Sequence, residues 1–344
     1  MSQSPNHSTI SNSPPDLITE VDNGEDGEIS SNGEESPSVE ELGSDEFPLY
    51  FTERRGRLFH SGSSVYPLPV DTPEQERQTI LHEAMRRLYG ANYIGPVQAV
   101  LAPNPHRELA VLDVCTGNGR WALDMAAEFP HVRFIGFDHV PIATRYPLPN
   151  VRFEIHDVNT PFRWSDQSFD IVHLRATSLA VHNYQVLLQE VARVLRRGGL
   201  LISYEWDNGI HLEPSSGVLD IMTHAPSSCR FFNAINATLS SRLGISPATT
   251  LIGPFLRATE EWVEVTTAMR HVPIGARELE PDRTIAELNL GAQERYLNSI
   301  RHILEDSEDW TDEDLESMAS GYLEEIRSKS GLASVLHTAH ARRT

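Results

Sequence analysis

From residue 109 the apolar positions fall into short blocks of strand length. These are Leu109–Val114, Arg133–Phe137, Val151–Ile155, Phe169–Leu174 and Leu200–Tyr204. Helical spacing fills two of the gaps. One helix runs from about Gly119 to Phe129. The other is capped by Asn183 and carries Val186, Leu187, Glu190, Val191, Val194 and Leu195, with "RRGG" closing it. Strands separated by helical connections predict a parallel sheet covered on both faces. Upstream, "TPEQERQTILHEAMRRLYG" reads as a helix with Thr72 as cap, Pro73 in the first turn and Gln75 completing a capping box. Its stripe is Ile80, Leu81, Ala84, Met85 and Leu88, and Gly90 ends it. Downstream, residues 207–255 mix glycines, prolines and helical fragments, and read as an insertion that lids the carboxyl edge of the sheet. "EWVEVTTAMRHVPI" resumes strand chemistry, and the tail after Asp312 predicts a helix and a final strand, giving an antiparallel pair at one edge.

Composition separates the first fifty residues from the rest. They hold twelve Asp and Glu and no Lys or Arg, which predicts a disordered acidic tail over 1–48. The remaining 49–344 form one domain, with 49–100 as an N-terminal cap. Outside the first fifty, 37 acidic residues face 28 basic ones, so a nucleic-acid backbone is a poor partner. No apolar run reaches the ~20 residues needed to span a membrane, and the N-terminus lacks the basic and apolar parts of a signal peptide. Two cysteines, Cys115 and Cys229, predict a reducing intracellular compartment. Fifteen histidines without ligand spacing predict no metal.

The candidate chemistry starts at "LDVCTGNGRW". Gly117 and Gly119 lie between a strand and a helix, where a ligand can approach the backbone closely. Asp138 ends the next strand, placed to accept hydrogen bonds from both ribose hydroxyls. A dinucleotide fold expects a third glycine to meet a pyrophosphate, but Arg120, Trp121 and Ala122 follow Gly119, which disfavours an NAD enzyme. Asp113 instead opens a D-x-(G)-x-G-x-G pattern associated with S-adenosylmethionine, which has no phosphate to cradle. After the third strand, Asp157 can accept from an adenine amino group, with Val158 beside the ring.

With these motifs the chain resembles the class I S-adenosylmethionine-dependent methyltransferases, and among them the fungal LaeA-like group. The narrower likeness rests on Gly56, Arg57, Phe59, His60, Tyr66, Pro69, Asp71, Glu74, Arg77 and His82, and on "GNGRWALDMA" with Trp121. It covers roughly 50–344. The resemblance implies a Rossmann-like α/β fold, with a seven-stranded, mostly parallel sheet, an antiparallel last strand and a helical lid. It implies that Asp113, Thr116, Gly117, Asn118 and Gly119 surround the methionine end, with Cys115, Trp121 and His139 also among the cofactor-binding residues. Asp138 would hold the ribose, Asp157 and Val158 the adenine, Arg175 would line the methionine end, and Tyr66 would close over the site. It further implies a role in or over fungal secondary metabolism, velvet-type protein partners, and a nuclear or cytoplasmic location. Cys115 departs from the group's pattern, adding a side chain where glycine is usual.

Methyl transfer from a sulfonium is an in-line displacement, so orientation can carry much of the catalysis. His173, His182 and Tyr204 are the candidates for a base toward a small-molecule or protein hydroxyl, with Glu205 and Asp207 nearby. The other reading is a non-catalytic regulator that keeps the methyltransferase fold and binds protein partners.

Overall fold

The computed structural model of the chain describes residues 41–344, apart from Ser63, Pro247, 276–282 and Glu308. The expected acidic tail lies outside the described residues up to residue 40. A 3-10 turn over Phe47–Tyr50 leads into an antiparallel hairpin, β1 (Phe51–Arg54) and β2 (Arg57–His60). Helices α1 (Thr72–Tyr89) and α2 (Val97–Val100) precede the sheet. Then come β3 (Leu109–Val114), α3 (Arg120–Glu128), β4 (Val132–Asp138), β5 (Val151–Ile155), β6 (Phe169–Arg175) and α4 (Tyr184–Val194). They are followed by β7 (Leu195–Trp206), β8 (His211–Leu212), α5 (Ile221–His224), α6 (Pro226–Leu243) and α7 (Ile252–Arg257). The chain closes with β9 (Trp262–Pro273), α8 (Arg283–Ile300), α9 (His302–Glu305), α10 (Asp312–Ser328) and β10 (Leu332–Arg343).

The sheet runs β5-β4-β3-β6-β7-β10, with β9 and the two-residue β8 both paired to β10. The first five are parallel, and β10 lies antiparallel to β7, β8 and β9. This is the mostly parallel sheet with an antiparallel last strand that the sequence predicted, extended by the short β8. All six residues of β3 are buried, as expected for a strand covered on both faces. Ala110, Leu112 and Val114 pack toward the α4 side. Leu109 and Val111 pack with Trp121, Met125 and Met85 on the α1 and α3 side. A third cluster lies beyond the sheet, where Phe231, Phe232 and Ile235 of α6 meet Leu297 of α8 and Met318 and Tyr322 of α10. This helical layer draws on 283–328 as well as on the 207–255 segment.

Two local readings are corrected. Asp71, not Thr72, caps α1, its carboxylate accepting from the backbone N–H of Glu74 at 3.3 Å. A carboxylate at that place also favours the positive end of the helix dipole. "RRGG" does not close α4 either, because β7 already starts at Leu195 and carries those residues. Helix α8 and the β1–β2 hairpin were not anticipated. Within the hairpin, Arg57 forms a two-pronged ion pair with Asp71 at 2.6 and 2.9 Å, fastening it to the start of α1. No helix among the described residues is long and apolar enough to cross a membrane.

Candidate functional site

A cavity opens where β3, β4, β5, β6 and β7 end, walled on the far side by α1, α6 and α8 and by the strap that follows β2. In a parallel sheet these ends collect the loops that can hold a ligand. Of the expected cofactor residues, Tyr66, Cys115, Thr116, Gly117, Asp138, His139, Asp157, Val158 and Arg175 all line it.

The glycine turn is shaped by positive backbone angles. Cys115, Gly117 and Gly119 have φ of 54°, 58° and 76°. At Gly119 the absence of a side chain is required by space as well, and at Gly117 a side chain would have to displace the end of Gln78. A Cβ would lie 2.7 Å from Gln78 Oε1 at Gly117 and 2.4 Å from Phe153 Cζ at Gly119. Cys115 takes a conformation that L residues adopt at a cost, and its thiol meets the cavity. Burial, together with Asp138 and Glu205, holds that thiol well above its ordinary pKa and therefore neutral.

Asp138 accepts from Gly117 N at 2.8 Å and from its neighbour His139 N at 2.8 Å. Burial raises its pKa, partly offset by those backbone N–H groups. Asp157 accepts from the backbone N–H of Asn159 at 2.9 Å, an Asx turn that leaves the carboxylate at the cavity wall.

Asp113, Asn118 and Gly119 were expected around the methionine end and Trp121 among the cofactor contacts, but they stand behind the turn. Asp113 is buried and accepts from Thr116 Oγ1 at 2.5 Å, with His173 Nδ1 2.7 Å away. Trp121 stacks on His173 with ring centroids 3.6 Å apart and donates from Nε1 to Asn92 O. Asn118 donates from Nδ2 to Gln75 O and Thr79 Oγ1, fixing the turn to α1. These residues hold the turn and do not line the cavity.

The three candidate bases are also placed away from it. His173 is fully buried in the Asp113–Trp121 stack, where burial lowers its pKa. Tyr204 is buried, and burial together with Tyr89 raises its pKa further. His182 is exposed, its backbone N–H donating to Asn159 Oδ1. The carboxylates of Glu205 and Asp207 do line the cavity.

Helix α1 supplies groups that the sequence reading quoted without giving them a place in the site. Glu74, Arg77, Gln78, Leu81, His82 and Met85 recur at three- and four-residue intervals, which puts them on one face. That spacing was the available signal. Arg77 reaches Glu74 Oε1 at 2.6 Å, and Glu74, fully buried, also accepts from Ser299 Oγ. Arg175 reaches His82 Nδ1 at 2.8 Å, and His82 Nε2 lies 2.9 Å from Asp124. Burial lowers the pKa of Arg175, and it donates a hydrogen bond to a neutral ring rather than to a carboxylate. From the cap come Asn208, Phe232, Gln293 and Tyr296, scattered over ninety residues with no local motif.

Comparison with known proteins agrees with this architecture. Residues 105–230 match a family model described as a methyltransferase domain. The chain is 30% identical over 67% of its length to the secondary metabolism regulator laeA of Coprinopsis cinerea, covering 58% of that protein. It is 34% identical over 46% of its length to the methyltransferase pytC of Aspergillus terreus, covering 47% of it. It is also 25% identical over 65% of its length to the methyltransferase str2 of Strobilurus tenacellus, covering 76% of it. Against the first two of these relatives, the chain spans about half of their length. Residues 105–230 thus match a methyltransferase domain, and the chain is similar to LaeA-like secondary metabolism regulators and to fungal methyltransferases.

Proposed function

We propose that the protein is an S-adenosylmethionine-dependent methyltransferase acting in or regulating secondary metabolism. The observation that carries this is the convergence of Asp138, Asp157, Val158 and Arg175 around the Cys115–Gly117 turn in one cavity. Their chemistry fits the cofactor. Asp138 suits a ribose diol, Asp157 an exocyclic amine, and Arg175, a buried cation with a neutral ring as hydrogen-bond partner, suits a carboxylate. The turn offers backbone rather than an anion nest, as a ligand without phosphate requires. When bound, the cofactor supplies an electrophilic methyl group on sulfur.

The chain's own contribution is mainly orientation. Tyr66 and the strap cover the site, α1 fixes the turn through Gln78, and the cap holds the acceptor. Since His173, His182 and Tyr204 lie off the cavity, a proton from the acceptor is handled by Asp207 or Glu205. The intact cavity favours this reading over a binding-only regulator, and the roles of the relatives support the link to secondary metabolism.

Calorimetric titration with S-adenosylmethionine and its demethylated product tests the proposal. Micromolar binding that weakens at least about tenfold, or about 1.4 kcal/mol, in Asp138→Ala is expected. A folded protein that binds neither compound would sink it.

A further inference from the structure

We propose that the acceptor half of the cavity takes a largely apolar small molecule that carries no negative charge and bears one nucleophilic hydroxyl. This rests on the methyltransferase reading and specifies the substrate class for the same site.

The walls of this half, away from the glycine turn, include Leu68 from the strap, Leu179 from the loop after β6, Phe232 from α6 and Tyr296 from α8. Phe232 and Tyr296 lie nearly parallel with centroids 6.2 Å apart, and they are 4% and 8% exposed. The acceptor therefore sits beneath the helical cap, where a folded protein surface could not follow.

The charged and amide groups on these walls are already engaged by the protein. Arg77 is held by three hydrogen bonds to the Glu74 carboxylate. Glu205 accepts from Thr177 N, Thr177 Oγ1, Ser178 N and Tyr184 OH. Asn208 donates to Asn236 Oδ1 and accepts from Tyr296 OH at 2.6 Å. Gln293 donates to Ser334 Oγ and accepts from Tyr322 OH. Asp207 pairs with His211 at 2.8 Å and, at 29% exposure, keeps contact with solvent.

An anionic acceptor would have to be desolvated against walls whose cation, Arg77, is already held by Glu74, and that cost is not returned. An anion could displace Glu74 from Arg77 only by leaving Glu74 buried and unpaired. A neutral molecule meets no such cost and gains from burial against Leu68, Leu179 and Phe232. Charge is thereby sorted within one cavity, with Arg175 on the cofactor side and no free cation on the acceptor side among the described residues. In the transfer itself, an acceptor lone pair forms the bond to the methyl carbon. The carbon–sulfur bond breaks with its electrons left on sulfur, and the hydroxyl proton leaves to solvent through Asp207.

The test uses the full chain saturated with S-adenosylhomocysteine, titrated with 1-naphthol and 4-phenylphenol and with the matching carboxylates, 1-naphthoate and biphenyl-4-carboxylate. The phenols are expected to bind at least about tenfold more tightly than the carboxylates. Leu179→Trp, which fills the cavity from a loop, should weaken phenol binding at least about fivefold with cofactor-product affinity unchanged. Phe232→Leu provides a second wall variant if the first folds poorly. Carboxylates binding as tightly as phenols, phenol binding unmoved by either variant, or no phenol binding in a protein that binds S-adenosylhomocysteine would each overturn it. If S-adenosylhomocysteine itself does not bind, the methyltransferase reading fails. The ratio of phenol to carboxylate binding in the free protein then still decides the acceptor inference.

Discussion

The Nδ1 atom of His82 lies 2.8 Å from Arg175 Nη1 and accepts a hydrogen bond from it, which leaves the ring proton on Nε2, 2.9 Å from Asp124. A guanidinium cannot serve as acceptor, so the tautomer is set by the neighbours. His82 thus aims a buried cation into the cofactor side of the cavity only while it is neutral.

Burial and Arg175 lower the His82 pKa from 6.5 to about 4. The unfolded chain takes up this proton below about pH 6.5, whereas the folded chain resists until about pH 4. Stability is therefore lost as pH falls through that window and is flat below it, by about 3 kcal/mol from this group. His82→Gln keeps an acceptor and a donor without titrating. Urea unfolding at pH 7 and pH 5 should show a smaller acid loss in the variant, and equal losses would refute the assignment.

Cys115 holds φ at 54°, where a β-branched side chain is more strained than a cysteine. Cys115→Val is expected to cost ~1–2 kcal/mol of stability. Cys115→Gly relieves the strain but enlarges the freedom of the unfolded chain, so its change stays within about 1 kcal/mol. Its affinity for S-adenosylhomocysteine should be equal or higher, since the wall loses a thiol. Denaturant midpoints and calorimetry read both effects, and a valine variant as stable as the parent would contradict the backbone geometry.

Glu74 is fully buried and neutralises Arg77, which stands 5.5 Å over the Tyr296 ring. Glu74→Ala leaves that cation buried without its partner, at ~3–5 kcal/mol. The double variant Glu74→Leu with Arg77→Met should recover most of the loss, because it removes both charges. A measured loss below 1 kcal/mol in the single variant would show that Arg77 escapes to solvent.

His182 and His173 should behave differently on substitution, and neither as a base. His182→Ala, at an exposed position off the cavity, is expected to leave kcat and KM within about twofold of the parent. His173→Ala empties the stack between Asp113 and Trp121 and should lower stability by ~2–4 kcal/mol. A well-folded His182→Ala protein with kcat reduced a hundredfold would restore that histidine as a catalytic group.

The sheet was legible because strands buried on both faces read as largely apolar runs, and the blocks from Leu109 to Tyr204 mostly do, with Asp113, Arg133, Arg152, Glu154, Asp170 and His173 as exceptions. The short β8 and helix α8 were not, since two paired residues and a helix of mixed polarity leave little periodic signal. The α1 cap was misplaced by one residue because Thr72 and Asp71 both have capping side chains. Only the observed hydrogen bond to Glu74 separates them.

The sequence by itself determined the strand–turn–helix unit, the glycines and the acids at the ends of β4 and after β5. These are local, since backbone conformation and register follow from neighbours along the chain. Tertiary structure alone decided which polar groups face the cavity. Asp113 and His173 pair behind the turn, while Arg77 ends beside a buried carboxylate and Arg175 beside a neutral ring. The reason is that a buried charge takes its state from partners brought together across the fold. Here those partners sit on elements up to 225 residues apart, as Ser299 and Glu74 do.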